Sequence, residues 1–191
     1  MKQEIVEGSL LETAHALIDA VVHEGDVVVD ATVGNGHDTL FLANCVGVGG
    51  RVIGFDLQQD AIDSASRHMS ESGIGSGVYD LHLLGHELMA AHLPMGVAAV
   101  MFNLGYLPGG DKGVITQVST TLQALDSALH HLRGGGVLSV MCYPGHLGGD
   151  AEAQAVAGWF DRVAQSVDSA TCYQRRGARE TTPFLLVAQK S

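Results

Sequence analysis

Apolar positions along this chain alternate between two rhythms. Leu10, Leu11, Ala14, Leu17, Ile18, Val21 and Val22 recur at the i, i+3, i+4 spacing of an amphipathic helix, which Gly25 closes. Val27 to Val29 form a short β-branched run ending at Asp30, followed by a glycine-rich turn and a helical stretch from about His37 to Cys45. Arg51–Asp56 predicts a strand, Gln58–Ser72 a helix stopped by Gly73, and Val78–Leu84 a third strand. Val97–Asn103 predicts a fourth, whose apolar run suits a strand covered on both faces. Thr116–Leu132 reads as a helix, and Gly134–Gly136 turn the chain into a strand over Val137–Cys142. A helix over Asp150–Gln165 and two closing strands near 169–175 and 183–189 complete the pattern. Strand and helix alternating throughout predict an open, largely parallel α/β sheet, and 191 residues suit one domain.

Composition narrows the class. Apolar residues make up 46% of the chain and charged residues 16%, enough for a core and inconsistent with disorder. No apolar run is long enough for a membrane span, and Met1–Leu11 lacks the apolar stretch of a secretory signal. Cys45, Cys142 and Cys172 form neither a zinc pattern nor a disulfide framework, so a reduced, cytoplasmic chain without a bound metal is expected. The formal charge of −11 argues against a general nucleic-acid binder. Its distribution is uneven: residues 1–170 carry −14, while 171–191 carry +3 through Arg175, Arg176, Arg179 and Lys190 against Glu180. That cluster is either a solvated hairpin tip or, with Lys112, a contact for a polyanion.

In open α/β sheets, ligands bind beyond the carboxyl ends of the strands. There the chain reads Asp30-Ala31-Thr32-Val33-Gly34-Asn35-Gly36-His37-Asp38-Thr39. Gly34 and Gly36 permit a tight turn close to a ligand. Asp30 and Asp38 would repel a dinucleotide pyrophosphate at the helix start, and Thr39 replaces the third glycine of the dinucleotide fingerprint. The same carboxylates suit a cation bearing an ammonium and a sulfonium, S-adenosylmethionine, although Asp38 also serves simply as a charge at a helix N-terminus. Asp56, ending the second of these strands, is placed to accept both ribose hydroxyls and fits NAD equally well.

The apolar fourth strand ends at Asn103, followed by Leu104-Gly105-Tyr106. A carboxamide there can accept an amine N–H and aim the nitrogen lone pair at a methyl group, while Tyr106 offers a flat wall to a ring. Turn capping and packing are the plain alternatives. An alkylamine with a solution pKa of about 10 must lose a proton before attack. His37, His86 and His146 are candidates to take it, with nothing to choose among them. Tyr143-Pro144-Gly145-His146 also lies at the carboxyl edge, as an acceptor wall or as a turn.

Taken together, the Asp30–Thr39, Asn103–Lys112 and Tyr143–Gly149 segments resemble the family of class I tRNA methyltransferases long labelled putative rRNA methylases. The similarity runs from about Ala14 to Lys190. It implies a Rossmann-like fold with a seven-stranded, mostly parallel sheet and helices on both faces, commonly dimeric. It also implies methylation of the exocyclic amine of 5-aminomethyl-2-thiouridine at a tRNA wobble position, in the anticodon region. By matching motif, Asn35, His37, Asp38, Thr39, Asp56 and Gln58 would contact the methyl donor, Thr32 would stand in the same turn, and His86 would lie near the adenine. Two segments depart from the family pattern, Leu84-Gly85-His86-Glu87 and Glu180-Thr181-Thr182-Pro183. Methylation of a small free amine, donor binding without catalysis and, more distantly, NAD chemistry are the competing readings.

Overall fold

The computed structural model describes residues 1–105, 109, 115–145 and 148–191. Eight strands form one sheet: β1 (Lys2–Val6), β2 (Val27–Asp30), β3 (Arg51–Asp56), β4 (Tyr79–Leu83), β5 (Val97–Asn103), β6 (Leu132–Cys142), β7 (Ser169–Arg175) and β8 (Phe184–Gln189). Among the described residues five α-helices connect them: α1 (Leu10–Asp19), α2 (His37–Val46), α3 (Gln59–Glu71), α4 (Val118–His131) and α5 (Gly149–Val163). The strand order is β1-β7-β8-β6-β5-β2-β3-β4, and β8 alone runs antiparallel to its neighbours. The chain leaves β2 in one direction, toward β3 and β4, and returns to β5 on its other side. The carboxyl ends of β2 and β5 therefore flank the switch point where such sheets open a crevice.

The core divides by the two-residue period of the strands. Val29, Val100, Phe102, Leu138 and Val140 face α4 and α5, where Leu125, Ala128, Val156, Trp159 and Phe160 are buried. Val28, Ala99, Met101, Val137 and Met141 face α1 and α2, against Leu10, Ala14, Ile18, Leu42 and Val46. Val97 to Phe102 are all buried, as an apolar strand between two helical layers must be.

Four elements differ from the sequence expectation. β1 is an added strand that pairs in parallel with β7, from Lys2 opposite Thr171 to Val6 opposite Arg175, which makes eight strands rather than seven. α1 ends at Asp19, before the expected Val22. β6 starts at Leu132, where Val97 pairs with it, so the glycines expected as a turn lie within the strand. A short 3₁₀ segment occupies His86–Ala91.

Candidate functional site

A cavity of about 840 Å³ opens at the carboxyl edge of the sheet. Its lining comes from the turn after β2, the ends of β3 and β5, the segments after β4 and β6, and the start of α4. Three carboxylates, Asp38, Asp56 and Glu87, line it among the described residues, and no lysine or arginine does. Thr32, Gly34, Asn35, His37, Gln58, His86, Asn103 and Tyr143 share that lining, so most of the sequence-selected residues converge here.

The turn after β2 is built on Asp30. This carboxyl group is fully buried; it accepts from the Thr39 hydroxyl at 2.7 Å and from the Thr32 amide at 3.2 Å. Burial, and then the negative charge of Asp38, push its pKa up to about 7. Asp30 and Thr39 thus stand beneath the turn and hold its shape, outside the lining of the cavity. Gly36 is also a shaping residue. Its φ is +82°, and a Cβ there would fall 2.7 Å from the Ala65 Cα, so a side chain would collide with α3.

Asp56 closes β3 with both carboxylate oxygens anchored. One accepts from the Gly34 amide and the other from the Gln58 amide, each at 2.9 Å. Each oxygen retains a further lone pair for a ligand. Ala31, Val33, Phe55, Leu57 and Leu84 add apolar wall beside it.

Across the switch point, Asn103 is held twice. Its backbone amide donates to the Thr32 hydroxyl at 2.7 Å, and its side-chain Nδ2 donates to Asp38 Oδ2. The other oxygen of Asp38 lies 2.7 Å from Nε2 of His15 on α1. The sequence reading missed His15. It is one of ten histidines, it lies in no motif, and its partner is 23 residues away.

His86 lines the cavity and donates from Nδ1 to the Ala31 carbonyl at 3.2 Å. Burial lowers its pKa, which favours the neutral ring. His37 lines the cavity too and meets His68 edge to face, with centroids 5.0 Å apart. Tyr106, Lys112 and His146 lie outside the described residues.

The neck of the segment after β5 is tied. The Gly105 amide donates to the Thr116 hydroxyl oxygen at 2.8 Å, and the Thr116 amide returns a bond to the Gly105 carbonyl at 2.9 Å. Buried Glu152 on α5 accepts from the hydroxyls of Thr116 and Thr121, each at 2.7 Å.

Among the described residues, the arginines of the closing hairpin have different surroundings. Arg175 and Tyr143 line a second cavity of about 440 Å³, which shares the Leu11–Tyr143 wall with the first. Arg176 is engaged by Glu7 at 2.8 Å, with both side chains exposed. The Arg179 amide donates to the Thr182 hydroxyl at 2.9 Å within the exposed β7–β8 connection.

The profile of the family described as "Putative rRNA methylase" matches residues 52–189. A curated relative, the chloroplastic tRNA (mnm(5)s(2)U34)-methyltransferase of Arabidopsis thaliana, is 43% identical over 155 residues, 76% of this chain. The chain spans 56% of that relative's length. A putative rRNA methylase from Clostridium thermocellum superposes with a TM-score of 0.92 at 37% identity, over 98% of this chain and 100% of the other. A putative methyltransferase from Streptococcus mutans, solved in complex with SAH, gives 0.87 at 32% identity over 97% and 100%. The turn after β2, the Asp56 anchor and the Asn103 rim thus sit in a fold shared nearly end to end with these two solved structures, and the chain belongs to the putative rRNA methylase family.

Proposed function

We propose that this chain transfers a methyl group from S-adenosylmethionine to the exocyclic amine of 5-aminomethyl-2-thiouridine at a tRNA wobble position. The observation that carries the reading is a carboxamide, Asn103, fixed by Asp38 on the rim of a cavity lined by three carboxylates and no lysine or arginine among the described residues. Carboxylate walls suit a cationic methyl donor and disfavour a pyrophosphate. Asp56 has acceptor capacity for two ribose hydroxyls, and the apolar wall beside it suits an adenine, with neutral His86 nearby. These residues fit S-adenosylmethionine, which supplies a reactive methyl group on a sulfonium.

The chain's own contribution is alignment. With Nδ2 committed to Asp38, Asn103 Oδ1 is the atom left to accept an N–H from an entering amine, and that bond aims the nitrogen lone pair along the cavity. Tyr143 forms the wall shared with the second cavity, where Arg175 is placed to meet phosphate of an RNA strand. Tyr106, Lys112, His146 and Arg179 complete the proposed acceptor side. The name of the Arabidopsis relative supports the same acceptor. The reading takes 1–191 as one catalytic domain, working as a cytoplasmic homodimer; no helix among the described residues is long and apolar enough to cross a membrane. Mass measurement in solution tests the dimer.

The test is mass analysis of nucleosides from tRNA lacking the wobble methyl group, after incubation with the protein and S-adenosylmethionine. The expected result is one added methyl on 5-aminomethyl-2-thiouridine. No gain, with methyl-donor binding confirmed in the same preparation, overturns the acceptor and leaves the donor site. The charge of −11 and the engagement of Arg176 by Glu7 favour, as a second reading, a small free amine, methylated without RNA and without steep salt dependence.

A further inference from the structure

We infer that His15 is a positioning residue that determines which atom Asn103 presents to the methyl acceptor; this rests on the amine-methyltransferase reading and deepens it. His15 is carried by α1 and meets the site from the side, through Asp38. Its ring is held in two ways: Nε2 lies 2.7 Å from Asp38 Oδ1, and its face stacks on Phe41, with centroids 3.8 Å apart and planes 6° apart. Phe41 stands three residues beyond Asp38 on α2, so one helix supplies both the stacking surface and the hydrogen-bond partner.

The chain of bonds has one consistent direction. A carboxylate has no hydrogen to give, so Nε2 carries the proton and donates it to Oδ1. Oδ2 then receives Nδ2–H of Asn103, because the opposite amide orientation would set oxygen against oxygen. The Asn103 carbonyl oxygen is thereby left for the acceptor amine. If His15 is removed, the Asp38 carboxylate is free to rotate, and Asn103 loses the fixed partner that sets its orientation. The His15 ring is 26% exposed and the Asp38 side chain 11%, so the contact is shielded enough to hold its geometry without being deep core.

The test is steady-state and single-turnover methylation of tRNA carrying the free aminomethyl group, with methyl-donor affinity and melting temperature measured on the same proteins. For His15→Ala the expected result is a fall in kcat of about tenfold or more, with methyl-donor affinity and melting temperature unchanged. His15→Gln, which keeps an N–H directed at Asp38, should recover most of that loss. In an Asn103→Ala background, His15→Ala should cause no further loss, since both act through one atom. Full turnover in His15→Ala, or a loss that adds to that of Asn103→Ala, overturns the assignment. So does a fall in turnover matched by falls in methyl-donor affinity and melting temperature and not rescued by glutamine. The two levels separate in the wild type. A protein that binds the methyl donor yet transfers nothing to this RNA overturns the reading and the assignment together, whereas an active wild type with an indifferent His15→Ala overturns the assignment alone.

Discussion

Asp38 and Asn103 stand 65 residues apart in the chain, yet the carboxylate of one accepts from the carboxamide of the other across the crevice between β2 and β5. The pair joins the turn proposed to shape the methyl-donor half of the cavity to the strand end proposed to receive the acceptor. On the proposed function, binding in one half and alignment in the other depend on different atoms of neighbouring groups. Asn103→Ala should lower kcat by about a hundredfold while leaving methyl-donor affinity intact, because it removes alignment and no part of the Asp56 anchor. Parallel turnover assays and calorimetric titrations check the split, and equal losses in both would sink the proposed role.

Asp56→Ala should do the reverse. It removes the expected partner of two ribose hydroxyls and leaves the Gly34 and Gln58 amides without their acceptor. Hydrogen bonds to a charged group contribute about 1.5–3 kcal/mol each, so methyl-donor affinity should weaken by at least about tenfold. Titration calorimetry measures it.

Asp30 makes stability depend on pH in the direction opposite to an ordinary paired carboxylate. Its folded pKa, pushed up to about 7, lies above the ordinary value of 3.8 that it regains on unfolding. Between those values the folded chain holds a proton that the unfolded chain has lost, so this contribution is full below about pH 4, declines as pH rises toward 7, and is constant beyond. Asp30→Asn, which keeps an acceptor for Thr39, removes that dependence. Its stability relative to the wild type should therefore improve from pH 4 to pH 7 and then level off, as denaturant midpoints across that range would show.

Gly36→Ala should destabilise the fold by about 2 kcal/mol or more. It places a Cβ against the Ala65 backbone and forces an L-residue to a φ of +82°. The readout is a lowered denaturant midpoint, and an unchanged one would mean that α2 and α3 can separate at no cost.

What could be read from the chain depended on whether a partner was near. β2, β3 and β5 carry their own apolar signal, and the Asp30–Thr39 turn declares itself through glycine and carboxylate spacing. β1 does not: Lys2-Gln3-Glu4-Ile5-Val6 is mostly polar, and it becomes a strand because the β7 edge, some 170 residues later, supplies its hydrogen bonds. Asp30 and Asp38 looked alike in sequence, as two carboxylates flanking one turn. Both are buried, but only Asp38 reaches the cavity wall, while Asp30 stays beneath the turn. His15 was missed because Asp38 reaches it from another element, and the pairing of Arg176 with Glu7 was illegible for the same reason.

The double bond between Gly105 and Thr116, backed by Glu152, has an evolutionary consequence. Gly105 follows β5, Thr116 precedes α4 and Glu152 lies on α5, so three elements separated in the chain share one polar knot, and a change at Thr116 must suit all three.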